Sequence, residues 1–177
     1  MNAEFLGKVE KFATDTVAPA SVGWSLGDAP DNSHFQAASA LGLTSLELPE
    51  SAGGLGYDFQ TKAAVCDRLA TADFGFAMSI TNTHNVANRL CRSADAKLCN
   101  RYLTPLLNGQ FSACTALTEP GAGSDVASLM TSATVTDDGW ILHGEKAWIV
   151  NARHATVAIV YAQCKQVGDG NGIGAHL

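Results

Sequence analysis

The 177-residue chain lacks any apolar run long enough to cross a membrane as a helix. Its longest, Ala155 to Ala162 interrupted by Thr156, falls far short of the ~20 residues a spanning helix needs. The first residues, Met-Asn-Ala-Glu-Phe-Leu-Gly-Lys, carry neither an apolar signal core nor an Arg-rich transit pattern. Basic charge is scarce: 11 Lys and Arg against 17 Asp and Glu leave a net −6. The cations are scattered singly, with no stripe to neutralise a phosphate backbone, which excludes nucleic acid as a partner class. The five cysteines (Cys66, Cys91, Cys99, Cys114, Cys164) are an odd set without a CxxC pair, so a disulfide framework is not expected. The five histidines show no HxxxH or HExxH spacing, and no metal site is expected. What remains is globular composition, 46% apolar and 16% charged. The expectation is a soluble cytoplasmic protein of one medium domain or two small ones.

Residues 1–110 have helical periodicity. From Asn2 to Val17, Phe5, Leu6, Val9, Phe12, Ala13 and Val17 recur at three- and four-residue steps, and Pro19 is expected to end that helix. Ser33-His34-Phe35-Gln36 has the form of a capping box, and Gly42 stands where a helix end calls for positive φ. Leu43 to Pro49 reads as extended, leading into a flexible turn at Gly53-Gly54-Leu55-Gly56. Asp58 can cap a helix from Phe59 to Ala72. Asp73 to Arg92 reads as a helix apolar nearly all round and therefore buried. Ala94 to Leu103 makes another, and Pro105 opens a final turn that Gly109 closes.

Beyond residue 110 the period shortens. Phe111 to Leu117, Leu129 to Thr136, Trp140 to Leu142, Ala147 to Val150 and Thr156 to Gln163 read as strands. Asp138-Gly139 between alternating segments signals a hairpin. The glycine-rich tail, Gly168 to Gly174, reads as loop. The expected fold is α+β: an N-terminal helical bundle domain over residues 1–110, then an incomplete antiparallel β-barrel-like domain over residues 111–177 with an uncovered edge.

Two segments stand out chemically. Thr118-Glu119-Pro120-Gly121-Ala122-Gly123-Ser124-Asp125 follows a strand directly. Its glycines let backbone N–H groups approach a flat ligand, and Thr118 and Ser124 add hydroxyls. It is neither a P-loop nor a GxGxxG turn. By itself it also reads as an ordinary strand connection. The second, Gly144 to Ala152, carries Trp148, whose indole suits either a core or the face of an aromatic ring.

Taken together, the blocks resemble the acyl-CoA dehydrogenase family over essentially the whole chain. Leu41-Gly42-Leu43 through Leu48-Pro49-Glu50-Ser51-Ala52-Gly53-Gly54-Leu55-Gly56 is similar to the family's helix-exit loop. Pro105 to Gln110, the "LTEPGAGSD" block from Leu117 to Asp125 and "GEKAWIVNA" from Gly144 to Ala152 follow in the family's order. The resemblance implies a flavoprotein with helical, β and C-terminal helical domains, the last absent from this chain. Its FAD lies between the β domain and the C-terminal helices. A carboxylate removes the α-proton of an acyl-CoA thioester while the β-hydride passes to the flavin, giving the 2,3-enoyl-CoA. By position, Thr115, Ala116, Leu117, Thr118, Gly123 and Ser124 would line the flavin, Ser124 also meeting the CoA portion of the substrate. Trp148, Ile149 and Val150 would pack along its other side. The implied electron acceptor is an electron-transfer flavoprotein, and the full-length protein is expected to be a homo-oligomer.

Two departures qualify the resemblance. Val150 stands where the family typically has Thr, losing a hydroxyl toward the flavin. The catalytic Glu and the Arg that grips the FAD pyrophosphate belong to the C-terminal region, so no catalytic residue is assigned within these residues. Glu119, Asp125, Glu145 and Asp73 read as structural or solvated, His84 as a core histidine and Cys114 as a buried thiol. The expectation is a fragment of an FAD-dependent dehydrogenase. Acyl-CoA oxidases and flavin monooxygenases of the same fold are neighbouring readings. The alternative is a non-catalytic, flavin- or partner-binding remnant that pairs with a full-length subunit.

Overall fold

Asn2 begins the first helix by accepting the N–H of Phe5 on its side chain, 3.1 Å away. In a computed structural model of the chain, which describes residues 2–93, 96–165 and 171–177, helix α1 runs Ala3–Phe12. It passes through a wider π turn, Ala13–Val17, into α2, Ala18–Ser25. Pro19 therefore does not end the helix. The wider turn, closed by Ala18 N–H to the Ala13 carbonyl, places the proline at the start of α2, where its missing N–H costs nothing. Helix α3 spans Asn32–Ala40, and its cap is Asp31 rather than Ser33: the carboxylate accepts from Ser33 N–H at 2.9 Å and His34 N–H at 3.3 Å. Its end is a Schellman motif. Gly42, at φ +78°, donates to Ser39, and Leu43 donates to Ala38.

Residues 43–49 form turns, not a strand, and the glycine turn beyond them is tied rather than flexible. Leu55, Gly56 and Tyr57 donate back to the carbonyls of Ser45, Leu48 and Leu46 at 2.8–3.1 Å. Asp58 caps α4, Phe59–Ala72, and Asp73 accepts the Phe76 N–H at 2.7 Å at the start of α5, Phe74–Ser93. Helix α5 is buried along one face rather than all round: Phe76, Ile80, His84 and Leu90 are buried, whereas Phe74, Asn85, Arg89 and Arg92 are exposed. Of the expected helix over 94–103, residues 94 and 95 lie outside the described residues; the rest comprises α6, Ala96–Leu98, and a π turn, Cys99–Leu103. The short α7, Thr104–Leu107, follows. The core gathers Phe5, Leu6 and Val9 from α1, Phe35 from α3, Val65 and Leu69 from α4, and Phe76 and Ile80 from α5. Phe76 is its hub, with the rings of Trp24, Phe35 and Phe12 at 5.3, 5.6 and 6.3 Å. Each such side chain contributes about 1.5–3 kcal/mol on burial.

The chain divides into two compact units, Met1–Ala113 and Cys114–Leu177. Among the described residues five strands form one sheet, which begins at the boundary and continues through the second unit: β1 (Ala113–Ala116), β2 (Ser132–Thr136), β3 (Gly139–His143), β4 (Val157–Lys165) and β5 (Asn171–His176), in the order β1-β4-β2-β3 with β5 on β4. The β2–β3 hairpin is antiparallel, Thr136 opposite Gly139, so its two-residue turn is Asp137-Asp138. The sheet is mixed and open rather than an antiparallel barrel, because β2 and β4 pair in parallel, Ser132 beside Gln163. The hairpin reverses the chain and the stretch 144–156 returns it, about the dozen residues a parallel crossover needs. That stretch contains no strand: Ala147 to Val150 is irregular, with Trp148 at φ +58° and Asn151 at φ +64°. The tail supplies β5 instead of a loop, since six residue pairs with β4 satisfy its backbone. Gly168 to Gly170 lie outside the described residues.

Candidate functional site

The two motif segments meet at a buried ion pair. Glu119, its side chain 4% exposed, accepts from Lys146 Nζ at 2.8 Å and from the N–H groups of Met130 and Thr131 at 2.6 and 2.9 Å. Lys146 also donates to the Leu117 carbonyl at 2.9 Å, and Ala147 N–H to the Thr118 carbonyl at 2.9 Å. Burial pushes the Glu119 carboxyl up, but the donors of Lys146, Thr131 and Met130 outweigh it and hold the group at about 2. Glu119 and Ala122 exchange N–H···O bonds of 2.9 and 3.2 Å, closing the Pro120-Gly121 turn. Gly144, at φ +153°, has no room for a side chain: a Cβ there would lie 2.5 Å from Thr131 Oγ1.

Around this junction the expected site residues fall into three groups. Thr115 and Ala116 belong to β1, half-buried and buried respectively, and Leu117 and Thr118 continue from it, half-buried. Gly123 and Ser124 are exposed on the loop. Trp148 is 90% exposed, Ile149 half-buried and Val150 exposed. The ladder between 117–119 and 146–147 joins the first group to the third. Among the described residues no hydrogen bond joins Gly123 or Ser124 to 148–150. The hydroxyls of Thr115, Thr118 and Ser124 and the Trp148 indole N–H make no hydrogen bond among the described residues, so four donors remain for a ligand.

Of the three carboxylates in the two segments, Glu119 and Asp125 are engaged and Glu145 is exposed. Glu119 is ion-paired, and Asp125 takes the Ser128 hydroxyl at 2.5 Å. His84 is a satisfied core histidine of α5, its Nε2 accepting the Glu47 N–H at 3.1 Å. Burial raises the Cys114 thiol, consistent with an inert residue. Lys146 was missed as a site residue. The available signal was a pair of opposite charges, one in each motif block, but their spacing of 27 positions says nothing of contact without the fold.

A helical unit followed by an open mixed sheet, with a Gly/Pro turn tied by an ion pair to the segment that carries an exposed tryptophan, defines an α+β chain. Residues 2–110 match the family model "Acyl-CoA dehydrogenase, N-terminal domain", and residues 114–176 match "Acyl-CoA dehydrogenase, middle domain". The chain belongs to the acyl-CoA dehydrogenase family. The short-chain specific acyl-CoA dehydrogenase of Homo sapiens is 34% identical over 139 residues, covering 77% of this chain and 34% of the relative. The structure of butyryl-CoA dehydrogenase from Megasphaera elsdenii is 29% identical, with a TM-score of 0.83 over 97% of this chain and 46% of that one. That of a glutaryl-CoA dehydrogenase from Mycobacterium smegmatis in complex with FADH2 is 26% identical, with a TM-score of 0.87 over 99% of this chain and 45% of that one. The match thus spans about a third of the human relative's length and just under half of each solved chain.

Proposed function

We propose that the chain forms the helical and flavin-lining part of an FAD-dependent acyl-CoA dehydrogenase, which converts a saturated acyl-CoA to the 2,3-enoyl-CoA. The observation that carries this is the locked junction itself: Thr118 and Trp148 are fixed on adjoining segments, with their donors unsatisfied by the protein. The donor set fits an isoalloxazine ring, which presents acceptors along one edge and an apolar face. When bound, FAD supplies the hydride acceptor. Thr118 would donate to the ring's pyrimidine edge, stabilising the negative charge that reduction places there. Thr115, Ala116 and Leu117 would lie along the ring, and Gly123 would let the backbone close on it. Trp148, Ile149 and Val150 would exclude water from the other side. Ser124 would hydrogen-bond both cofactor and the CoA portion of the substrate. With Glu119 and Asp125 engaged and Glu145 exposed to solvent, the proposed base for the α-proton is a carboxylate outside these two segments. An electron-transfer flavoprotein is the proposed acceptor.

Titration of the chain with FAD, followed by flavin fluorescence, tests the reading. Saturable quenching that weakens in Thr118→Val and Trp148→Ala is expected; unaltered fluorescence throughout would refute it. In the native protein, anaerobic addition of a saturated acyl-CoA should bleach the bound flavin. No bleaching by short, medium, long or branched thioesters would remove the substrate class, and oxygen consumption during turnover would point to an oxidase.

A further inference from the structure

Trp148 combines a bulky aromatic side chain, 90% exposure and a left-handed backbone at φ +58°. For a residue with a Cβ that conformation is disfavoured about tenfold in population, and an exposed side chain has no packing of its own to hold it there. The restraint lies immediately upstream. Lys146 Nζ bridges the Leu117 carbonyl and the Glu119 carboxylate, and the Ala147 N–H is bonded to the Thr118 carbonyl. The carboxylate is itself immobilised by the N–H groups of Met130 and Thr131. Buried ion pairs seldom repay their desolvation, so such a cluster is weak evidence for stability, and its best-attested use is to select one arrangement of the backbone.

We propose that Lys146, through Glu119, is a positioning residue: the buried pair clamps 146–147 to the end of β1, so that Trp148 keeps its left-handed backbone and presents its indole outward beside Thr118. This rests on the flavin reading of the site, to which it adds the device that sets the tryptophan's place. Lys146 Nζ is committed to Glu119 and Leu117, and in this proposal its effect on binding passes through residue 148.

FAD affinity and urea stability are measured for the parent, Lys146→Met, Lys146→Arg, Trp148→Gly and the Lys146→Met/Trp148→Gly double variant. Glycine adopts positive φ freely, so Trp148→Gly removes both the strain and the indole. Lys146→Met is expected to weaken FAD binding about tenfold in the parent and less than about twofold in the Trp148→Gly background, with Lys146→Arg restoring most of the loss. Equal weakening in both backgrounds would make Lys146 merely structural and overturn the proposal. If the parent binds no FAD, the flavin reading fails and the clamp is judged by stability alone. Lys146→Met should then cost less in the Trp148→Gly background, and strict additivity would overturn it. Should Lys146→Met not fold, Glu119→Gln, which keeps the side chain's shape, takes its place in the same cycle.

Discussion

Acidification should weaken the helical unit through one side chain, His84. It is 1% exposed on α5 and accepts the Glu47 N–H on Nε2. Lys62 and Cys66 of α4, Thr81 of its own helix and the Glu47 carboxylate surround it, the last 3.8 Å from Nε2 and ion-paired with Lys62. Burial, then the Lys62 ammonium, lower its pKa from 6.5 to about 4, against the opposing pull of Asn85 and Glu47. Protonation would also take Nε2 away from the Glu47 N–H. Because the folded value lies below the unfolded one, the unfolded chain binds the extra proton between the two. Stability is therefore complete above pH 6.5 and is lost as pH falls through about 4. That gap corresponds to about 3 kcal/mol. Urea denaturation followed by helical circular dichroism at 222 nm, at intervals from pH 8 to pH 4, measures it. His84→Gln retains an acceptor for Glu47 but cannot titrate, so the parent should lose about 3 kcal/mol more than the variant across this range. Parallel losses in the two proteins would refute the reasoning.

Three further outcomes are expected. Gly54→Ala brings a Cβ within 2.0 Å of the Leu48 carbonyl oxygen and should destabilise the helical unit by about 1–3 kcal/mol; an unchanged melting temperature would show that the turn yields freely. Thr83 donates to Ser79 and accepts the Ala113 N–H at 3.0 Å, so Thr83→Val should cost about 1–3 kcal/mol in urea melts, whereas Thr83→Ser should cost less. Glu119, held at about 2 against an ordinary 4.5, contributes stability that is full above pH 4.5 and lost as pH falls toward 2. Near-ultraviolet circular dichroism of the parent should show this acid loss, and a Glu119→Gln variant with the same profile would contradict it.

Much of the local structure was legible because it depends on short-range chemistry. Asp58 caps the helix it precedes, Gly42 closes α3, and the alternating segments around Asp138-Gly139 pair as a hairpin. The motif residues from Leu117 to Asp125 and from Gly144 to Ala152 likewise marked the family before any coordinate. Two local expectations fail because a second local feature intervenes. Asp31 outcompetes Ser33 as a cap because its carboxylate accepts from two N–H groups at once. Pro19 fails to break its helix because a π turn absorbs the missing hydrogen bond.

The sequence by itself determined the division into helical and strand periodicity, the caps, and the residue types that suit a flavin, because each follows from neighbours within a few positions. Only the tertiary structure decided the parallel pairing of β2 with β4, the recruitment of the tail as β5 and the irregular course of Ala147 to Val150. It alone also joined Glu119 to Lys146 and set Trp148 in its left-handed turn. These features rest on hydrogen bonds between residues far apart in the chain, whose worth depends on burial and direction, and neither property is written in the order of the amino acids.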